Sequence, residues 1–88
     1  MTYAVEWAAP AKRALQRIPV SAAVAAIDLI YGALADDPHR VGRPLQFELE
    51  GLHTARRGDY RIVYRIDDRR RVVVIAAIGH RSDVYRSR

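Results

Sequence analysis

The stretch VVVIAAI at residues 72–78 constrains the fold most, because seven consecutive apolar residues leave no face of a strand for water. A strand with one solvated face alternates polar and apolar side chains, whereas a strand covered on both faces does not. We therefore predict that residues 72–78 run through the centre of a sheet. The segment before it, YRIVYRI at residues 60–66, does alternate and predicts a neighbouring strand. Its apolar face carries Tyr60, Ile62, Tyr64 and Ile66, and its other face carries Arg61, Val63 and Arg65.

The remaining pattern places helices before most of the strands. Residues 2–7 alternate like a strand, and Pro10 suits the first turn of a short helix. Residues 20–35 predict an amphipathic helix of about four turns, whose apolar positions are Val24, Ile27, Ile30, Tyr31 and Leu34. Residues 36–44 read as a loop, and residues 45–50 alternate like a strand with Leu45, Phe47 and Leu49 on one side. Residues 52–60 predict a short strand that enters a turn at Gly58 and Asp59.

This order of elements predicts an α+β fold. An N-terminal strand and a hairpin of two helices precede three or four strands, so the helices cover one face of a mainly antiparallel sheet and leave the other face open. With 88 residues, we expect one domain spanning residues 1–88. We expect no membrane span, no secretory leader and, with no cysteine, a reducing cytoplasm as the location.

Positive charge is concentrated in the second half of the chain. The whole sequence has a formal charge of +5, and residues 51–88 contain ten arginines against four aspartates, with no lysine or glutamate. Arginine favours planar, bidentate contacts with phosphates and carboxylates. The distribution predicts contact with a polyanion, and the open alternative is that many of these arginines only solvate the surface.

The candidate site is a set of arginine, histidine and tyrosine residues on adjoining strands. Arg56, Arg61 and Arg81 would repel one another unless an anion lay between them, and a phosphodiester fits that position. Cationic neighbours lower the pKa of a tyrosine, so Tyr85 is a candidate base for a ribose 2′-hydroxyl. His80 is a tentative proton donor to the leaving oxygen, with a structural or binding role as its alternative. Arg57, Arg65 and Arg86 are further candidates for phosphate binding.

Other kinds of site find little support in the sequence. His39, His53 and His80 lack the spacing of a zinc site, and no glycine-rich loop joins a strand to a helix. No serine lies in a nucleophile elbow. We therefore predict a reaction that uses no metal and no cofactor, and we expect Glu48 and Glu50 to face solvent.

Two longer segments, LEGLHTARRGDYRIVYRIDD and VVVIAAIGHRSDVYR, resemble the RelE branch of the RelE/ParE toxin superfamily of bacterial toxin-antitoxin modules. The resemblance implies a microbial RNase-like fold and a ribosome-dependent endoribonuclease that cuts messenger RNA in the ribosomal A site. It matches Arg61 and Arg81 to phosphate-binding arginines, and it gives Tyr85 a base or orienting role. Arg56 matches a basic position on the neighbouring strand.

This chain departs from the family pattern at two positions. The best-known pattern has two lysines where this chain has Leu52 and Thr54, so the proton donor is left open. Related nucleases pair a C-terminal histidine with a glutamate base, which would be His80 with Glu48 or Glu50 here.

The partners that the resemblance implies are the ribosome, messenger RNA and an acidic, partly disordered antitoxin that folds on binding and forms a hetero-oligomer with the toxin. The alternatives are a ParE-like toxin that inhibits DNA gyrase by binding it and a non-toxic nucleic-acid or partner-binding module.

Overall fold

The computed structural model describes residues 2–80 of the 88-residue chain. Its first half contains one strand and the helices, and its second half contains the other strands. The elements are β1 (Ala4–Trp7), α1 (Ala9–Arg17), α2 (Val20–Leu29) with a π-helical turn (Ile30–Leu34), α3 (Pro38–Val41), β2 (Arg43–Pro44), a 3-10 turn (Phe47–Leu49), β3 (His53–Arg57), β4 (Tyr60–Asp67) and β5 (Val72–His80). None of the helices in residues 2–80 is long and apolar enough to cross a membrane.

The strands form one sheet in the order β1-β5-β4-β3-β2. β1 pairs with β5 in parallel, and the other neighbours pair antiparallel. The predicted α+β fold with a mainly antiparallel sheet is confirmed. β5 lies between β1 and β4, as its uninterrupted apolar sequence requires. A register shift beside Val63 and Tyr64 places Ala76 opposite no residue of β4, so both sides of this bulge keep their apolar side chains toward the core.

The core lies between the sheet and the helices. Fully buried Ile62, Tyr64 and Ile75 project from the sheet onto Ile30 and Leu34 of the helical segment. Burying a side chain of this size contributes roughly 1.5–3 kcal/mol. The alternation in β4 therefore orients the strand, because Ile62 and Tyr64 face the helices and Arg61 must then face away from them.

The helical segment departs from the single amphipathic helix predicted for residues 20–35. Only Ile30 and Leu34 of the five predicted apolar positions are fully buried, and Val24, Ile27 and Tyr31 are exposed. The buried face instead uses Ala26, Ile30 and Leu34, and Gly32 interrupts the helical geometry with φ −100° and ψ −107°. The five positions fall on two faces of the segment formed by α2 and its π-helical turn, and the sheet covers one of these faces.

The strand predicted for residues 45–50 is wrong. β2 ends at Pro44, and the chain forms a 3-10 turn in which Phe47 is 87% exposed. Leu49 donates to the carbonyl of Gln46 at 3.1 Å, and Leu45 donates to that of Leu52 at 2.8 Å. Alternation stabilises a strand only where a neighbour satisfies its backbone groups, and Pro44 lacks the N–H that a ladder needs. These backbone groups are satisfied within the turn instead.

Candidate functional site

Three arginines from adjacent strands meet on the face of the sheet opposite the helices. Arg56 of β3 and Arg61 of β4 are direct cross-strand partners, and Arg43 of β2 pairs with Thr54 of β3. Their side chains border a cavity of about 410 Å³. We call this the arginine cavity, and it is lined by Val41, Arg43, Thr54, Ala55, Arg56 and Arg61.

The arginine cavity carries positive charge that no described carboxylate neutralises through an ion pair. Within residues 2–80, the ion pairs join His39 to Asp68 and Arg70 to Glu6 and Asp67, so none includes Arg43, Arg56 or Arg61. Like charges at close range raise the energy of the folded protein unless an anion lies between them. Guanidinium groups bind phosphate and carboxylate oxygens through charge-assisted hydrogen bonds. The arrangement is suited to holding an anion with several oxygens.

Arg43 is the residue that the sequence analysis missed. It lies within the segment read as a loop, and a strand of two residues has no periodicity to detect. The sequence offers one indication of its position, the neighbouring Gly42. A glycine has no side chain, so its backbone can approach a second element closely. In the structure, a Cβ on Gly42 would lie 2.6 Å from the carbonyl oxygen of Thr54.

Two predicted phosphate-binding arginines lie away from the cavity. Arg57 faces the helical side and borders a groove at the start of α2, together with Pro19 and Tyr60. Arg65 is exposed on the same face of β4 as Arg61 but outside the cavity lining. Its Nη1 atom lies 3.6 Å from the position that a Cβ would take on Gly51. Arg65 thus extends the positive face along β4, whereas Arg57 does not belong to it.

His80 lies with Tyr60 rather than with Arg61. The two rings have centroids 5.8 Å apart at an angle of 82°, and the residues are cross-strand partners. Tyr60 shares the helical face with Ile62, so His80 is on that side too. The partner of Arg61 on β5 is Gly79. The geometry therefore separates His80 from the arginine cavity, while predicted Arg81, Tyr85 and Arg86 lie outside the described residues.

Leu52 and Thr54, which stand where the best-known family pattern has two lysines, differ in their burial. Thr54 lines the cavity and is 9% exposed, while Leu52 is half-buried just before β3. Glu48 and Glu50 are exposed around the 3-10 turn, as expected, and neither lines the cavity. No group of three or more potential metal ligands occurs in the described part of the chain.

A second polar cluster joins β1, α3 and the turn between β4 and β5. Asp68 accepts hydrogen bonds from the Tyr3 hydroxyl at 2.6 Å and from His39 at 2.9 Å. These bonds hold the pKa of Asp68 below its usual value, and the bond to Asp68 raises the pKa of Tyr3. Burial and the nearby His39 lower the pKa of His53. Because His39 and Asp68 are about half exposed, we assign this cluster a structural role of modest strength.

Comparison with known proteins adds a consistent set of relatives. A family model described as the ParE toxin of the type II toxin-antitoxin system, parDE, matches residues 5–85. Toxin RelE of Mycobacterium tuberculosis (strain ATCC 25618 / H37Rv) is 51% identical over 84 residues, covering 96% of this chain and 87% of the relative. Toxin RelG of the same strain is 44% identical over 86 residues, covering 98% of this chain and 99% of the relative.

Solved structures agree with this placement. The toxin-antitoxin complex RelBE2 from Mycobacterium tuberculosis contains a chain with a TM-score of 0.88 and 42% identity, and the match covers 94% of this chain and 95% of that one. The isolated RelE toxin of E. coli has a TM-score of 0.74 at 14% identity, with coverage of 89% and 83%. At that identity the second likeness concerns the fold alone.

Proposed function

We propose, because the chain belongs to the RelE/ParE family of type II toxin-antitoxin toxins, that it is a ribosome-dependent endoribonuclease. Its substrate is messenger RNA in the ribosomal A site, and cleavage stops translation until an antitoxin neutralises the toxin. The observation that carries the proposal is the arginine cavity, which three arginines line and where none of them forms an ion pair with another residue of 2–80. A target on the ribosome places this activity in the cytoplasm.

The cavity supports attack by a ribose 2′-hydroxyl on the adjacent phosphate. The 2′-oxygen forms a bond to phosphorus, the bond to the 5′-oxygen breaks, and the products are a 2′,3′-cyclic phosphate and a 5′-hydroxyl. A base takes the proton of the 2′-hydroxyl, and an acid supplies one to the 5′-oxygen. Arg61 and its neighbours stabilise the additional negative charge on the phosphate oxygens in the transition state.

The proton-transfer residues remain sequence predictions. Tyr85 is the proposed base and Arg81 a further phosphate ligand, and both follow the end of β5. His80 is a weaker candidate for the acid, because its ring packs against Tyr60 on the helical side. Glu48 and Glu50 are weaker candidates for a base, because they lie outside the cavity lining.

The test is to express the chain and map the ends of transcripts in cells. We expect new 5′ ends within coding regions of translated messages, and none in a matched message whose start codon is removed. Arg81→Ala and Tyr85→Phe should reduce the number of these ends.

The family model is described as a ParE toxin, which favours gyrase inhibition as the second candidate function. Growth arrest with intact messages and altered plasmid supercoiling would replace the first candidate with the second.

An apolar stripe on α2 supports an antitoxin as the partner. Val20, Val24, Ile27 and Tyr31 are spaced by four, three and four residues and are 37–79% exposed. The stripe borders a groove of about 310 Å³ toward α1, lined by Trp7, Lys12, Leu15, Gln16, Ile27 and Tyr31. A regular apolar stripe exposed on a helix is typical of a surface that receives an amphipathic helix.

Charge indicates what kind of helix fits this groove. The exposed face of α1 contains Lys12, Arg13 and Arg17, and α1 contains no acidic residue. An acidic amphipathic helix would therefore match both the apolar stripe and its basic border. This fits the acidic antitoxin expected from the sequence, and the solved relatives include toxin-antitoxin complexes. We propose that such a helix binds here within a toxin-antitoxin hetero-oligomer.

The double variant Val24→Glu with Ile27→Glu tests this surface. We expect it to remain toxic, because the stripe lies on the helical side, but to bind the antitoxin encoded with it about 100-fold more weakly. The measurement is titration of labelled antitoxin into purified toxin. Phe47→Glu is the matched control, since it also places a carboxylate at an exposed apolar site. Equal neutralisation of the double variant and the wild type would remove the stripe from the interface.

A further inference from the structure

The strand that carries Arg43 has little support of its own. β2 has two residues and, within the described part of the chain, lies at the edge of the sheet and pairs only with β3. One of its residues is Pro44, which has no backbone N–H to donate. The preceding α3 has four residues, about one turn, and so short a helix is unstable in isolation. The position of Arg43 in the arginine cavity therefore depends on contacts made by the segment before it.

The Tyr64 hydroxyl makes those contacts. It donates a buried hydrogen bond of 2.7 Å to the carbonyl oxygen of Pro38, the first residue of α3. The backbone of Gly42, the residue before Arg43, packs directly against the same hydroxyl, because a Cβ on Gly42 would overlap it. Tyr64 itself is fully buried, and the ring of His53 stacks on it with centroids 5.6 Å apart. One hydroxyl from the middle strand thus bonds the start of the segment that leads to Arg43 and packs against its end.

Two features make this attachment close and persistent. There is no room for a side chain on Gly42, because a Cβ would overlap the Tyr64 hydroxyl and lie 2.6 Å from the Thr54 carbonyl oxygen. Burial raises the pKa of Tyr64 to about 12, although the adjacent Gly42 backbone acts in the opposite direction. The hydroxyl therefore remains a hydrogen-bond donor throughout the physiological pH range.

We infer that Tyr64 is a positioning residue for RNA binding: from the core, its hydroxyl sets the α3–β2 segment so that Arg43 contacts a phosphate together with Arg56 and Arg61. The inference rests on the proposed function for the identity of the ligand. It adds Arg43 as a phosphate contact and assigns its placement to a residue that touches no RNA. Tyr64 and Arg43 should then act as one unit, although they lie on opposite sides of the sheet.

The experiment measures binding of the full chain to a short single-stranded RNA. The RNA is 2′-O-methylated so that it is not cleaved, and fluorescence anisotropy is recorded over a range of salt concentrations. For single-stranded nucleic acid, each phosphate contact contributes about 0.7 to the slope of log affinity against log salt. We expect Arg43→Ala to lower the slope by about 0.7 and the affinity about fivefold. Tyr64→Phe, which removes no charge, should lower both in the same direction.

The double variant distinguishes positioning from general destabilisation. If Tyr64 acts through Arg43, Tyr64→Phe should have little further effect in the Arg43→Ala background, since coupled residues are not additive. Tyr3→Phe is the matched control, because it removes a hydroxyl that bonds Asp68 outside this segment. Its slope should equal that of the wild type.

Several results would overturn the inference. It is wrong if Tyr64→Phe folds and keeps the wild-type slope, or if the effects of the two variants add. Arg43 is exposed, so Arg43→Ala tests the inference even if Tyr64→Phe does not fold, and an unchanged slope in Arg43→Ala is also a refutation. Binding of the uncleavable RNA does not depend on catalysis. A chain that binds with the expected slopes but cuts no message refutes the proposed function alone.

Discussion

Arg61→Ala is expected to lower the rate of message cleavage by about 10²- to 10³-fold, the usual cost of removing one group that stabilises transition-state charge. Arg61 lies in the middle strand, between Arg56 on one side and Gly79 on the other. Among the three cavity arginines, Arg61 lies on the longest strand, since β4 has eight residues whereas β3 has five and β2 has two. The measurement is the rate of cleavage of a defined message on purified ribosomes, followed by primer extension.

The fold should tolerate this change. Removing Arg61 relieves repulsion from Arg56 and Arg43, so we expect the free energy of unfolding to stay constant or to increase slightly. Arg65→Ala is the matched control, because Arg65 lies on the same face of the same strand outside the cavity. It should weaken RNA binding by one phosphate contact at most and leave most of the cleavage rate intact. Wild-type cleavage by Arg61→Ala would show that the cavity is not the site of reaction.

Gly42→Ala is expected to destabilise the protein by about 2–3 kcal/mol, at the upper end of the cost of inserting a methyl group into a packed site. The added Cβ would overlap the Tyr64 hydroxyl and lie 3.0 Å from the Tyr64 Cζ atom. Neither group has space to move, because Tyr64 is fully buried and the Thr54 carbonyl belongs to β3. Urea unfolding followed by circular dichroism gives the free-energy difference.

Gly32→Ala is the control for this effect. Gly32 has a negative φ, and no atom of residues 2–80 lies within 4 Å of the position that a Cβ would occupy. The same one-carbon change there should alter the free energy of unfolding by less than about 1 kcal/mol. If the two variants unfold at the same urea concentration, close packing at Gly42 contributes nothing to stability. Gly42→Ala should also weaken RNA binding, because the displaced segment carries Arg43.

The sequence predicted the sheet well wherever a strand is long and packs against a neighbour. Residues 60–66 and 72–78 show the pattern that burial on one or two faces requires, and both became adjacent strands. The resemblance to the RelE/ParE superfamily is also confirmed. The same alternation at residues 45–50 does not correspond to a strand, because a period of two indicates burial only if a partner strand is present. Phe47 is exposed instead.

Part of the candidate site could be predicted from the sequence, because successive side chains of a strand alternate between the two faces of the sheet. With Ile62 in the core, Arg61 had to point away from the helices, and Arg56 is its partner across the hairpin. The position of His80 does not follow from its proximity to Arg81 in the sequence. His80 adjoins Arg81, which predicts a position with the arginines, yet the alternation of β5 places it beside Tyr60 on the other side of the sheet.

The amino-acid sequence alone is enough to identify the residues of the central strands, the basic face of β4 and the family to which the chain belongs. These properties depend on local periodicity and on residue identity, both of which can be read along the chain. The place of Arg43 beside Arg56 and Arg61 depends on tertiary contacts, since a two-residue strand has no local pattern. Its position depends on the buried Tyr64 hydroxyl and on the missing side chain of Gly42. Such contacts between distant residues exist only after the chain has folded.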